Sequence, residues 1–267
     1  MIEFGVAFIE FVLATVVPIF AGMFLLVVVS AATKIDIRYL SAYALGLLFW
    51  FFFDTLNDSV QLGVNQGYTF DLGHIGLVLL FSIGFLLFAL LGGRLSSKYD
   101  ALSRNLPLIL AILVAVGMGI HGVGEGIEFG GLAAGTQATS ILDAIGGIGG
   151  GIAYVLHKLL ESTIVIVVFI ALVRTSGLPF RKQLWQTLMI GFVFGIPSMV
   201  GEVAGYSIPI DSTWFFALGA GAALFVVLEV IRPIFATRGV TYTQWTRISL
   251  AMLLGFLLLY AAALFHS

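Results

Sequence analysis

The sequence contains no cysteine and few charged residues. Of its 267 residues only 10% are Asp, Glu, Lys or Arg, whereas 60% are hydrophobic. A soluble globular domain carries about 25% charged residues, so this composition excludes an ordinary soluble protein. The absence of cysteine excludes disulfides, thiolate metal ligands and thiol nucleophiles together. Histidine and carboxylate side chains are left to carry any chemistry.

Long apolar runs fill the chain. Eight of them approach or exceed the roughly 20 apolar residues that one bilayer-spanning helix needs. The sequence therefore predicts an all-α integral membrane protein, a single transmembrane domain over residues 1–267 built as a bundle of eight helices. The predicted helices cover approximately residues 6–30, 40–62, 74–93, 107–131, 143–173, 185–206, 213–232 and 246–265.

The basic residues predict how the bundle is oriented. Eleven of the twelve lysines and arginines follow the first, third, fifth or seventh run. The positive-inside rule places these loops in the cytoplasm, so both termini are predicted to be extracytoplasmic. The one exception is Lys158, which lies within the fifth run.

Two His-x3-Glu pairs lie inside the fourth and fifth runs. His121 and Glu125 form one pair, His157 and Glu161 the other, and an i,i+4 step brings both side chains of a pair onto one helical face. Each histidine lies about 21 Å along its predicted helix, near the bilayer midplane, where transporters hold their substrates. Two imidazoles and two carboxylates suit zinc and other first-row divalent ions. The structural alternative is a set of hydrogen-bonded packing residues.

Further ionisable residues lie at membrane depth, where each is a functional hypothesis by default. Lys158 precedes Glu161 by three residues, which predicts an intrahelical ion pair. We expect its ammonium group to neutralise Glu161 and Glu202, in a place where a second metal would otherwise bind; a purely structural ion pair is the alternative. Glu202 would complete the site or relay from it. Glu128 would either pass ions to the site or hydrogen-bond locally.

Carboxylates also lie near the predicted helix ends. Under the predicted topology Asp54 and Asp58 face the outer mouth and Glu229 the cytoplasmic mouth, where they would concentrate arriving or leaving cations. Solvated acids at helix ends are the alternative interpretation.

These residues resemble, in order and spacing, those of the Zrt/Irt-like protein (ZIP) family of divalent-metal transporters. HGVGEG, starting at His121, resembles the fourth-helix motif of that family, and HKLLES, starting at His157, resembles its fifth-helix motif. Glu202 stands at the place of the sixth-helix glutamate, and Asp54 and Glu229 resemble polar residues of the second and seventh helices. The resemblance covers nearly all eight runs.

The resemblance implies a function and a ligand set. His121, Glu125, His157 and Glu161 would form the primary metal site, while Gly122, Lys158 and Glu202 would occupy the second-site positions. Because Gly122 and Lys158 replace ligands there, we expect a mainly mononuclear site.

The family also implies transport of zinc, or else iron, manganese or cadmium, into the cytoplasm by an elevator-like motion of one helix group against another. The metal would be a substrate and not a permanent cofactor, and the protein would not be an enzyme. We expect the protein to lie in a prokaryotic plasma (inner) membrane. Its expected partners are the lipid bilayer and a divalent metal ion, and no nucleic acid. The oligomeric state stays open, with a homodimer as one alternative.

Two other functions stay open at this point. An intramembrane zinc hydrolase, resembling ceramidases or progestin-and-adipoQ receptors, would use metal-bound water as its nucleophile. Such sites generally need three histidines, and only His121 and His157 lie deep in the predicted bundle. A metal-free regulatory member of the same fold would instead fill the site permanently with the ammonium group of Lys158.

Overall fold

The computed structural model of the protein describes residues 2–33, 35–59, 72–98, 106–135, 140, 142, 145, 147–235 and 241–264. Within these residues the chain forms eight long helices and no strand, and each helix is long and apolar enough to cross a membrane. The predicted all-helical class is therefore confirmed, and the helices indicate an integral membrane protein. The helices are α1 Phe4–Ala32, α2 Ile37–Ser59, α3 Leu72–Lys98, α4 Leu106–Gly135, α5 Gly147–Ser176, α6 Phe180–Ser207, α7 Thr213–Phe235 and α8 Tyr242–Ala263.

Most helix ends differ from the predicted bounds by a few residues, and the beginnings of α6 and α5 show two causes. Helix α6 begins at Phe180, five residues before the predicted bound at residue 185, because the polar first turn does not belong to an apolar run. The carbonyl of Pro179 accepts hydrogen bonds from the backbone N–H groups of residues 182 and 183 and so starts the helix there. Helix α5 begins at Gly147 and not at residue 143. Ile145 lies in a turn, and the φ angle of 75° at Gly147 interrupts right-handed helix at that point. Residues 60–62, 143–144, 146 and 265 of the predicted helices lie outside the described residues.

The helices pack as two groups. Helices α2, α3, α7 and α8 form one group, through the α2–α8, α2–α7 and α3–α7 contacts. Helices α1, α4, α5 and α6 form the other, through the α4–α6, α1–α5, α1–α6 and α4–α5 contacts. The groups meet mainly where α4 packs on α7 and α2 packs on α5. Both helices with a His-x3-Glu pair therefore belong to the same group.

Glycines allow α4 and α6 to pack backbone against backbone. A Cβ atom added at Gly126 would lie 2.1 Å from the carbonyl oxygen of Ser198, and one added at Gly205 would lie 2.1 Å from the carbonyl oxygen of Ile127. Only glycine permits such an approach. This contact fixes the position of α4, and with it the depth of His121 and Glu125.

Candidate metal centre

Ionisable side chains of α4 and α5 meet in the interior of the bundle. Nε2 of His121 lies 3.4 Å from Oε1 of Glu125, one turn further along α4, as their spacing predicts. One ligand atom from each of His121, Glu125 and Glu161 lies within 4.8 Å of the other two. A tetrahedral ion with bonds near 2.1 Å holds its ligand atoms about 3–4 Å apart, so small side-chain movements would close this set around a metal.

His157 lies beside these three residues. Its Nε2 atom is 4.0 Å from Oε1 of Glu125, so it faces the carboxylate that His121 also approaches. The structure thus brings three of the four predicted ligands into one cluster and places the fourth at its edge. A shift of the Glu125 and His157 side chains toward each other would complete a set of two imidazoles and two carboxylates.

Lys158 provides a cation inside this cluster. Its side chain is 1% exposed, and its Nζ donates to Oε2 of Glu161 at 2.6 Å and to Oε2 of Glu125. The pair with Glu161 follows from the i,i+3 spacing. The pair with Glu125 joins α5 to α4 and could not be predicted from the sequence, because it depends on how the two helices cross. One ammonium group therefore bridges two carboxylates.

Glu202 lies apart from this bridge. It is buried, and neither of its carboxylate oxygens has a hydrogen-bond partner among the residues that the structure describes. The expected contact with Lys158 is not formed, since the ammonium group pairs with Glu125 and Glu161 instead. The reason is the helix arrangement: α6 packs on α4 and has little contact with α5, which carries Lys158.

The imidazole of His121 is held from the opposite helix group. Its Nδ1 lies 3.2 Å from the hydroxyl of Thr55 on α2, while the rings of Phe51 and Phe216 lie 4.5 and 5.1 Å from its own. A hydrogen bond at one imidazole nitrogen orients the ring and directs the other nitrogen toward a metal. Thr55 was not predicted as a site residue. The only sign of it in the sequence is a hydroxyl next to Asp54 in an otherwise aromatic run.

The remaining predicted carboxylates lie at two separate places in the bundle. Asp58 lies within electrostatic range of Asp54, Glu125 and His121, and Glu128 lies within range of Asp58 and Glu125. Glu128 also accepts a hydrogen bond of 3.0 Å from the hydroxyl of Ser212. These acids thus lie near the cluster on the side of α2 and α4.

Glu229 is separate from these acids. It is buried on α7 and accepts a hydrogen bond of 3.0 Å from Nη1 of Arg232, one turn along the same helix. The structure therefore places this predicted exit carboxylate in a local ion pair and not in the cluster.

No protein-family model and no curated protein sequence matches this chain. What the cluster can do must therefore follow from its own donors. Imidazole nitrogen together with carboxylate oxygen binds first-row divalent metals, whereas calcium and magnesium prefer oxygen ligands alone. The contacts of Lys158 show that a cation fits between Glu125 and Glu161.

Proposed function

We propose that the protein carries a divalent transition-metal ion, zinc in the first place, across the membrane through the cluster of His121, Glu125 and Glu161. The observation that carries this proposal is the convergence of their three ligand atoms within 4.8 Å inside an apolar helical bundle. Ionisable groups at such a depth cost several kcal/mol unless they are paired or bind an ion. His157 would supply the fourth ligand. The order of motifs that resembles ZIP transporters supports the same function.

The position of Lys158 implies a single metal. Its ammonium group already supplies one positive charge between Glu125 and Glu161. With one divalent ion bound, the net charge of Glu125, Glu161, Lys158 and the metal would be slightly positive. A second ion would be strongly repelled, because the bundle interior screens charge poorly. Lys158 would therefore take the place of a second metal and move aside as one ion enters.

The acids beside the cluster supply an approach for cations. Asp54, Asp58 and Glu128 would attract a hydrated divalent ion electrostatically and deliver it to Glu125. Transport would then require the group containing α4 and α5 to move against the group containing α2 and α7. The hydrogen bond between Thr55 and His121 crosses that boundary and would break and re-form during each cycle.

A second candidate function rests on the same lysine. Because the Lys158 ammonium satisfies both carboxylates without a metal, a metal-free structural or regulatory protein is a coherent alternative. It predicts no bound zinc and no flux. The transport function predicts both.

Uptake of radioactive zinc into proteoliposomes, under an inward zinc gradient, tests the proposal. We expect saturable uptake by the parent and loss of at least about 90% of it in Glu161→Gln and His121→Ala, because removing even a hydrogen-bond partner of a metal ligand typically costs about 10–100-fold. Glu10→Gln on α1 makes the same carboxylate-to-amide change outside the cluster and should leave uptake unchanged.

Two results would contradict transport through this cluster. The first is unchanged uptake in Glu161→Gln. The second is a correctly folded parent without flux; bound zinc in that parent would then favour the intramembrane hydrolase, and absence of zinc would favour the metal-free function.

A further inference from the structure

A groove on the outer surface of the bundle separates α1 from the beginning of α6. Its volume is about 220 Å³, and its lining consists of Phe24 from α1 with Arg181, Leu184, Trp185 and Leu188 from α6. The four α6 residues recur at helical spacing, so they lie on one face. The groove has an apolar wall with a single guanidinium group at the end where α6 begins.

Packing further along the two helices closes the apolar end of this groove. The ring of Phe20 lies over Gly191, where an added Cβ atom would be 2.4 Å from the ring, and Phe24 stacks on Phe20 with ring centroids 6.2 Å apart. The groove therefore runs from the closely packed Phe20 toward the polar first turn of α6.

The polar end of the groove carries positive charge without a nearby acid in the sequence. No Asp or Glu occurs between Glu161 and Glu202. Within the described part of the chain, Arg181 forms no ion pair or side-chain hydrogen bond. Arg174, the neighbouring arginine, is already engaged, because its guanidinium donates to the carbonyls of Ser30 and Ile35. Arg181 is thus the guanidinium available to a ligand in this groove.

We propose that this groove binds an anionic phospholipid of the surrounding bilayer, with the phosphate on Arg181 and an acyl chain along Phe24, Leu184 and Leu188. Guanidinium groups bind phosphate oxygens in a bidentate manner, and basic pockets between membrane helices are typical sites for anionic headgroups. Trp185 is 62% exposed, and tryptophan favours the level of the headgroups, which fits its place beside Arg181. The proposed lipid site does not depend on whether the cluster of His121, Glu125 and Glu161 binds a metal.

Quenching of tryptophan fluorescence by brominated lipids tests the proposal. The full-length protein is reconstituted into phosphatidylcholine containing either brominated phosphatidylglycerol or brominated phosphatidylcholine, and Trp185→Phe identifies the signal of Trp185. We expect the Trp185 signal to report about a five-fold preference for phosphatidylglycerol. Arg181→Gln should reduce this preference to near one.

Arg247→Gln is the matched control, because Arg247 is an exposed arginine near the beginning of α8 with its own tryptophan, Trp245, two residues away. This variant should keep the preference at Trp185. Equal quenching by the two lipids in the parent, or a preference that survives Arg181→Gln, would overturn the proposal. So would loss of the preference on adding inorganic phosphate at constant ionic strength, since that result would indicate a soluble-anion site.

Discussion

Lys158 is the residue that most constrains what the cluster of His121, Glu125 and Glu161 can bind. A lysine that is 1% exposed in a membrane bundle persists only because two carboxylates compensate its charge. The same contacts mean that a metal cannot reach Glu125 and Glu161 unless the ammonium group gives way. Under the proposed function, Lys158 would therefore act as a tethered cation that competes with the metal ion for these carboxylates.

Replacing Lys158 by methionine should destabilise the metal-free protein and make it depend on zinc. The substitution leaves the Glu125 and Glu161 carboxylates buried without their cation, and removing one partner of a buried ion pair typically costs about 3–5 kcal/mol. Zinc bound only by the folded state would restore this stability. The measurement is thermal unfolding in detergent, with and without zinc.

Lys182→Met provides the control for that experiment, because Lys182 is exposed in the first turn of α6. It should unfold like the parent at every zinc concentration. If Lys158→Met also unfolded like the parent, and zinc raised both midpoints equally, Lys158 would not be a competing cation.

At this scale the sequence predicts contacts within a helix and misses contacts between helices. The spacing of His121 and Glu125 on α4, and that of Lys158 and Glu161 on α5, predicts two pairs that the structure contains. The bridge from Lys158 to Glu125 is not predictable, since it depends on the crossing of two helices. Whether these residues bind metal stays a prediction.

Among the helices, the pair α4 and α6 shows most clearly how sequence determines packing. A row of glycines on each helix lets the two backbones touch, and this contact holds the helix that carries His121 and Glu125. The abundance of glycine around these runs could be read from the sequence. The sequence does not identify which helix packs on α4, because a glycine pattern shows where a close contact forms but not which helix makes it.

Gly126→Ala should destabilise the protein by about 1–3 kcal/mol, the usual effect of overpacking a closely packed interface. The new Cβ atom would lie 2.1 Å from the Ser198 carbonyl oxygen, so α4 and α6 would have to separate. Gly131→Ala is the control on the same helix, because the nearest atom to its Cβ would be the carbonyl oxygen of Gly205, 3.9 Å away. Equal thermal stability of the two variants would show that this interface is not closely packed in solution.

The connection between α1 and α2 contains a group with a shifted pKa. The Asp36 carboxylate accepts hydrogen bonds from Nε of Arg38 at 2.9 Å and from its backbone N–H at 3.0 Å, and these hold the pKa of Asp36 below its ordinary value of 3.8. A lowered pKa in the folded protein stabilises it at any pH above the unfolded value. This stabilisation is lost as the pH falls through the folded value.

Asp36→Asn should therefore lower stability at pH 6 by less than about 1 kcal/mol, as expected for a partly exposed ion pair. The difference from the parent should shrink once the pH falls below about 4. Thermal unfolding at a series of pH values measures it. A difference that grew toward acid pH would mean that Asp36 does not stabilise the fold through its charge.

At the scale of the whole molecule, the two helix groups suggest how a buried ion could reach both sides of the membrane. The number and approximate extent of the helices could be predicted, because apolar length is a property of the sequence. Their division into groups depends on which helices touch, and no run of residues encodes that by itself. Thr55 of one group contacts the imidazole of His121 in the other, so motion between the groups would change the cluster.

A cross-link between the groups should stop zinc uptake. Cysteines at Gly117 on α4 and Ala222 on α7 would join them, since the Cβ atoms would lie 3.3 Å apart and the chain has no native cysteine to interfere. Oxidation should abolish uptake and reduction should restore it.

A second cysteine pair, at Gly122 and Ser198, controls for the chemistry of oxidation. It joins α4 to α6 within one group, across a Cβ separation of 3.5 Å, and should leave uptake active when it is oxidised. Full activity of the oxidised Gly117–Ala222 pair would contradict motion between the groups.

X-ray absorption at the zinc edge, measured on purified parent protein and on His121→Ala, would detect a metal bound at His121 directly. We expect about one zinc per chain in the parent, with a shell of nitrogen and oxygen at roughly 2.0–2.2 Å and an imidazole scattering pattern. That pattern should weaken or vanish in His121→Ala. A parent that binds no zinc, or a zinc shell that is identical in the two proteins, would contradict a metal site at His121, Glu125 and Glu161.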